Sequence, residues 1–233
     1  MPLPAELRAA RALVYAADLD DPRLSTEDSH HLSRVLRLGR GETVAVSDGS
    51  GAYRLFTIAR TERGVGLALE PEGEARLTER SGSAVGVGFA LVKQDRSEWA
   101  VAKLVELGVD RIMLLVCDRS VVRPEGGRRM DRLRLIAREA AMQSRRVWLP
   151  AVEPPRPFRD VAAELAGGDG GAAIAEPGGP PLRAGTSVVL VGPEGGFSAD
   201  ELACGLTAVG LGDTVLRTET AAVAAAVLLA DRR

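Results

Sequence analysis

Lysine is almost missing from these 233 residues: 28 of the thirty basic side chains are arginine, and only Lys93 and Lys103 are lysine. The two exceptions fall within eleven residues of each other. Cysteine is as scarce. Cys117 and Cys204 cannot form a disulfide framework, and neither sits in a C-x-x-C or Cys/His cluster, so no structural zinc or other metal is expected. The only histidines, His30 and His31, are adjacent, which leaves no Ser-His-Asp or Cys-His set for triad hydrolysis unless one of them crosses domains. Long apolar runs are absent too. The longest, Ala221 to Ala230, has ten mostly alanine residues, about half of what a bilayer requires. Charges at Glu6, Arg8 and Arg11 interrupt the N-terminus, so no signal peptide is evident and a cytoplasmic protein without a membrane partner is expected. A net charge of −2 excludes a wholly basic nucleic-acid binder but not a local basic face.

With 45% apolar and 27% charged residues, the chain can bury a core of one large or two modest domains. Glu42–Ser47 and Ala52–Ile58 carry β-branched and aromatic residues around the hairpin loop Asp48-Gly-Ser-Gly51, and Gly64–Leu69 suits a further strand. A small antiparallel sheet or barrel follows. The composition changes near Pro71–Ala75, and we place a domain boundary there, giving domains 1–74 and 75–233. Beyond it, Ala84–Val92, Arg111–Val116 and Ser187–Val191 are uninterrupted apolar runs, as in parallel strands covered on both faces, and a short strand is expected at Ala172–Ala175. Between the first two runs a helix is predicted, with Asp95 and Glu98 as a capping box and Gly108 at its C′ position. The second half therefore reads as α/β.

Three stretches carry candidate chemistry. Val188–Val191 runs into Gly192-Pro-Glu-Gly-Gly196, and Ser198 with Glu201 forms a capping box for a helix with Leu202, Leu206 and Val209 on one face. Such a strand, glycine loop and helix either presents backbone N–H groups to a ligand or makes an ordinary tight βα turn. It lacks G-K-[ST], and Gly86-Val-Gly88 lacks the third glycine, so nucleotide hydrolysis and NAD chemistry lose support. Arg119 to Arg146 holds nine arginines against Glu125, Asp131 and Glu139. This local excess is either a nucleic-acid footprint or a solvated helix face. In its helix Leu135 and Ala137 are expected to face the core, with Glu139, Gln143 and Arg146 sharing one face. Finally, Leu216-Arg-Thr-Glu-Thr-Ala221 is expected to end a very short strand at Arg217 and cap the last helix with Thr218, placing ionisable groups at the lip of the sheet. In the N-terminal part, Arg34 and Arg37 lie one turn apart, with Leu32, Val35 and Leu36 available to the core.

In this order the stretches resemble the RsmE family of SPOUT-superfamily RNA methyltransferases, the 16S rRNA (uracil(1498)-N(3))-methyltransferases. The resemblance is carried by His31-Leu-Ser-Arg-Val-Leu-Arg37, Lys93-Gln-Asp-Arg-Ser-Glu98, Arg138-Glu-Ala-Ala-Met-Gln-Ser-Arg145, Gly192-Pro-Glu-Gly-Gly-Phe-Ser198 and Leu216-Arg-Thr-Glu-Thr-Ala221. The N-terminus departs from the pattern, with Leu13 where an aromatic is expected. The resemblance implies a PUA-like β-barrel followed by an α/β domain with a mostly parallel sheet and a trefoil knot, S-adenosylmethionine as cofactor, pairing as a homodimer and 16S rRNA of the small ribosomal subunit as substrate. The implied cofactor residues are Ala175, Glu176, Gly192, Pro193, Glu194, Gly195, Gly196, Leu211, Gly212, Val215, Leu216 and Arg217. For chemistry at uridine N3 we expect Glu219 as proton acceptor or orienter, Arg217 or Arg145 as the cation near developing charge, and Gln143 on the base edge. Arg34, Arg37, Lys93, Arg119, Arg123 and Arg138 are the expected RNA contacts. A SPOUT-fold enzyme acting on another RNA or atom, an inactive RNA-binding module, and a nucleotide-binding protein remain the alternatives.

Overall fold

In the first part of the chain Val44 and Val46 from one strand and Phe56 and Ile58 from the next are fully removed from solvent and pack in one cluster; the second strand alternates them with partly exposed Leu55 and Thr57, while the first is buried on both faces. The computed structural model describes residues 3–61, 67–80, 82–122, 127–168 and 171–232. It comprises one unit of Met1–Ser81 with Ala141–Leu149 and a second of Gly82–Ala140 with Pro150–Arg233.

The first unit contains α1 (Ala5–Ala9), β1 (Leu13–Tyr15), α2 (Thr26–His30), β2 (Thr43–Ser47), β3 (Ala52–Thr61) and β4 (Leu67–Leu77). Its four strands lie in the order β1-β2-β3-β4, parallel between β1 and β2 and antiparallel thereafter. The expected hairpin is present. Asp48 Oδ1 accepts from the Ser50 and Ala52 N–H groups at 2.6 and 3.1 Å, and Gly51 takes a left-handed φ of +99°. A Cβ there would come within 2.3 Å of the Trp148 ring, so the position excludes any side chain.

Three expectations change in this unit. Pro71–Ala75 is the middle of β4, so the composition shift marks an edge strand rather than a domain boundary. Proline is tolerated at an edge, and Gly73, at φ +68°, sits where the register with β3 slips. Residues 64–66 of the suggested strand lie outside the described residues. The segment Ala141–Leu149 belongs here rather than with the α/β half: Tyr15 Oη donates to the Arg146 carbonyl, Ser47 Oγ to that of Val147 at 3.1 Å, and Trp148 Nε1 to that of Thr78 at 3.1 Å. After α2 the chain widens into a π-helical turn, His31–Val35, closed by Leu36 N–H donating to His31 O at 2.9 Å. The extra residue rotates the face, so Leu32 is buried while Val35 and Leu36 point outward.

The second unit contains β5 (Gly86–Ala90), α3 (Gln94–Glu106), β6 (Arg111–Val116), α4 (Gly127–Gln143, whose last turn belongs to the first unit), β7 (Ala151–Val152), β8 (Arg156–Pro157), α5 (Phe158–Ala166), β9 (Gly171–Ala175), β10 (Thr186–Val191), α6 (Ala199–Leu202), β11 (Thr207–Val209) and α7 (Thr218–Ala230). The sheet runs β11-β9-β10-β5-β6-β7, with β8 also on β6, and every pairing is parallel. The expected apolar runs are its central strands. α7 packs on β5, β10 and α3 through Ala221, Ala222, Ala225, Ala226 and Leu229; the four alanines permit close approach.

Local expectations differ at four places. Lys93, not Asp95, is the N-cap of α3, with no side-chain cap, so the Asp95/Glu98 box does not form; Gly108 does take a left-handed φ of +86° after the helix. The Ser198/Glu201 box does form, but α6 stops at Leu202. Gly205, at φ +83°, turns the chain into β11, so Leu206 and Val209 never share a helix face with Leu202. Residues 211–217 make no strand. Arg217 is the N-cap of α7, and the Thr218 hydroxyl donates to Gly192 O at 3.0 Å instead of capping. On α4 the buried side chains are Met130, Leu133, Ile136, Ala137, Ala140 and Ala141, while Leu135 is exposed; the helix ends at Gln143, which leaves Arg146 off its face.

Candidate active site

The carboxyl ends of parallel strands carry loops that are free to build a site. Here residues 175–177 after β9, 192–196 after β10 and 211–216 before α7 surround a cleft of about 620 Å³ including its open mouth. Ten of the twelve expected cofactor residues line it: Ala175, Glu176, Gly192, Pro193, Glu194, Gly196, Leu211, Gly212, Val215 and Leu216. Gly195 and Arg217 do not, while Pro177, Val191, Thr214, Thr218 and Ala221 do.

The glycine loop is fastened from several sides. Gly196 N–H donates to Pro193 O at 2.8 Å, closing a turn that uses an amide otherwise available to a ligand, and Gly196 has a left-handed φ of +70°. A Cβ on Gly192 would come 3.2 Å from the Phe197 ring, and Phe197 in turn packs on Phe158 in a tilted arrangement with ring centroids 4.7 Å apart. Arg119 Nη1 donates to Gly195 O at 2.8 Å. Behind the loop, buried Glu201 accepts from the N–H groups of Ser198 at 2.8 Å and Asp118 at 2.9 Å, while Ser198 Oγ donates to the Asp118 carboxylate at 2.6 Å. That hydroxyl, with Arg159 nearby, holds the Asp118 carboxyl below the usual carboxylate range. Across the cleft, burial alone pushes the Glu176 carboxyl above its ordinary value.

Beside the cleft, Glu219 lies in the first turn of α7 and is 8% exposed. Its Oε1 is 3.7 Å from Arg96 Nε, and among the described residues its buried Oε2 has no hydrogen-bond partner. Arg96 Nη1 is 3.3 Å from Glu194 Oε1, so one guanidinium joins the glycine loop to α7. Sequence reasoning missed Arg96 as a site residue. It stands inside the matched Lys93–Glu98 segment, but nothing in the spacing names its partners.

The remaining expected residues scatter. Arg217 is exposed at the start of α7. Gln143, exposed, and Arg145 belong to the first unit. There Arg145, at a left-handed φ of +60°, donates to the Ala10 and Arg11 carbonyls at 3.0 and 2.8 Å, and burial lowers its pKa. Arg34 and Arg37 are exposed in that same unit, and Lys93 and Arg119 in the second; Arg138 is half-buried and partnered, and Arg123 lies outside the described residues. Much of the arginine-rich stretch is committed within the protein: Arg129 donates to Val92 O and Ser97 Oγ, and Arg132 pairs with Glu98 at 3.4 Å. Among the described residues there is no group of three metal-ligating side chains and no helix long and apolar enough to cross a membrane.

A family model described as an RNA methyltransferase domain matches residues 79–230. Ribosomal RNA small subunit methyltransferase E of Mycobacterium tuberculosis (strain CDC 1551 / Oshkosh) is 34% identical over 221 residues, spanning 85% of this chain and 82% of that protein. Among solved structures, a probable rRNA-methyltransferase from Porphyromonas gingivalis is 29% identical with a TM-score of 0.79, covering 95% of this chain and all of that one. A ribosomal RNA small subunit methyltransferase E from Neisseria gonorrhoeae, solved bound to S-adenosyl methionine, is 26% identical with a TM-score of 0.76, covering 92% and 94%.

Proposed function

From the premise that the chain belongs to the ribosomal RNA small subunit methyltransferase E family, we propose that it transfers a methyl group from S-adenosylmethionine to N3 of a uridine in 16S rRNA, at position 1498. The observation that carries this reading is the three-loop cleft at the carboxyl edge of the sheet, lined by the residues the resemblance names. The cleft fits the cofactor. Its walls are mainly backbone and aliphatic carbon, and the half-buried carboxyl of Glu176 suits hydroxyl donors. Loops 175–177, 192–196 and 211–216 would hold it, and when bound it supplies an electrophilic methyl on a sulfonium.

The chain's own residues must then orient the base and take a proton, because uridine N3 carries a hydrogen and is a poor nucleophile at neutral pH. Glu219 is the acceptor: its Oε2 is buried beside the cleft and has no hydrogen-bond partner among the described residues. The N3–H bond breaks, its electron pair forms the N3–CH₃ bond, the proton rests on Glu219, and the C–S pair stays on sulfur. Arg217, exposed at the head of α7, is the cation for charge developing on the uracil oxygens. Arg145 is spent on backbone carbonyls, so its role is structural, while Gln143 is kept for the base edge.

Finer features belong to the same proposal. The chain leaves β11 at the sheet edge and re-enters as α7 against β5 and β10, so residues 210–217 cross the carboxyl ends of the strands, which supports a knotted SPOUT arrangement. The strand-rich first unit supports the PUA-like domain, with Arg34 and Arg37 as its phosphate contacts; Lys93 and Arg119 are the corresponding contacts of the second unit. A homodimer acting in the cytoplasm on an assembled small subunit completes the reading. Transfer of labelled methyl into small-subunit RNA tests it: Glu219→Gln is expected to lower kcat by about 100-fold or more, as loss of a positioned proton acceptor does. Near-normal turnover by that variant would remove Glu219 from the mechanism.

A further inference from the structure

Arg96 is in an awkward place for a cation. It is the third residue of α3, where the unsatisfied N–H groups and aligned peptide dipoles favour negative charge. Its location is explained by two carboxylates that reach it from elsewhere in the unit. Nη1 lies 3.3 Å from Glu194, which lines the cleft, and Nε lies 3.7 Å from Glu219, whose side chain is 11% exposed. A carboxylate so removed from water is costly to bury without a charge partner. Arg96 supplies that partner at Oε1 only, which leaves Oε2, itself buried, without a hydrogen-bond partner among the described residues.

We propose that Arg96 is a positioning residue for methyl transfer: its guanidinium holds Glu219 with Oε2 free for the incoming proton and, through Glu194, ties that carboxylate to the loop lining the cofactor cleft. The inference rests on the proposed function. Arginine suits the task because a rigid fork reaches two carboxylates from different nitrogens, whereas a lysine ammonium is a single point charge. Arg96 acts through Glu219 and needs no contact with the reacting atoms. Losing it therefore matters only while Glu219 is present.

The test is a double-mutant cycle on the full-length protein, with kcat and KM for small-subunit RNA and calorimetric affinity for S-adenosylmethionine measured on variants whose melting curves show them folded. R96M is expected to lower kcat by about tenfold or more, a fraction of what a positioned proton acceptor contributes, while KM for RNA changes by less than about threefold. R96K should recover part of the loss. In the E219Q background, R96M should cost less than about a further twofold, because interacting residues are not additive. Equal losses in both backgrounds, or wild-type kcat in R96M, would overturn the role of Arg96 while leaving the proposed function standing. Should R96M fail to fold, R96K alone decides: unchanged kcat overturns the proposal, and a loss that disappears in E219Q supports it. Absence of any transfer by the wild-type protein overturns the functional reading and this inference with it.

Discussion

Replacing Glu201 with alanine removes the carboxylate that fastens two loops behind the cleft. Glu201 is 1% exposed and accepts from the Ser198 N–H at 2.8 Å and the Asp118 N–H at 2.9 Å. Both donors lose their acceptor together in the variant. An unsatisfied donor costs about 1–3 kcal/mol, so Glu201→Ala is expected to destabilise the second unit by about 2–6 kcal/mol. Glutamine keeps one carbonyl oxygen but sets its amide donor against the other N–H, leaving two donors unsatisfied, so Glu201→Gln should recover little of the loss. Urea unfolding followed by tryptophan fluorescence separates the units, since Trp99 lies in the second and Trp148 in the first. In a W148F background the Trp99 transition should shift to lower urea, with a parallel loss of S-adenosylmethionine affinity as the glycine loop loosens. A Glu201→Ala shift below about 1 kcal/mol would refute the reasoning, because it would mean the two N–H groups find water or other acceptors at no cost.

Three further expectations follow from the same geometry. Burial, reinforced by the nearby Glu201 charge, pushes the Cys117 thiol up to about 12, so a thiol reagent at pH 8 should label half-buried Cys204 well before Cys117 in the native protein; the reverse order would contradict the packing. The Glu176 pKa is raised on folding, so without ligand its contribution to stability is fully present below its unfolded pKa and is lost as pH rises through the folded value. A carboxylate that accepts cofactor hydroxyls works in the opposite sense: affinity for S-adenosylmethionine should weaken as pH falls through that raised value, and E176Q should flatten the profile, whereas identical profiles would exclude Glu176 from binding. RNA affinity should fall steeply with salt, and R34A and R37A should each reduce the slope of log affinity against log salt by about one. A flat dependence would remove the basic-surface assignment.

What could be read from the sequence was mostly local. The central strands β5, β6 and β10 announce themselves because burial on both faces demands unbroken apolar runs, and the Ser198/Glu201 box is a three-residue relation. The loops lining the cleft were legible through family motifs rather than periodicity. Long-range pairing was not legible. Arg96 acquires meaning only when α7 packs against α3, and Arg145 looks catalytic until the carbonyls of Ala10 and Arg11 are seen to occupy it. The same holds for Pro71–Ala75, whose proline and glycine suggest a linker but suit a bulged edge strand. The π-helical turn at His31–Val35 defeats a 3.6-residue period by inserting one residue, which turned Val35 and Leu36 outward.

The destination of the methyl group is the most direct test of the proposed function. Small ribosomal subunits lacking the modification, incubated with the protein and S-adenosylmethionine, should yield after nuclease digestion a single new methylated nucleoside, N3-methyluridine, mapping by mass spectrometry to position 1498 of the 16S rRNA. No incorporation, or a methyl on another atom or another RNA, would contradict it.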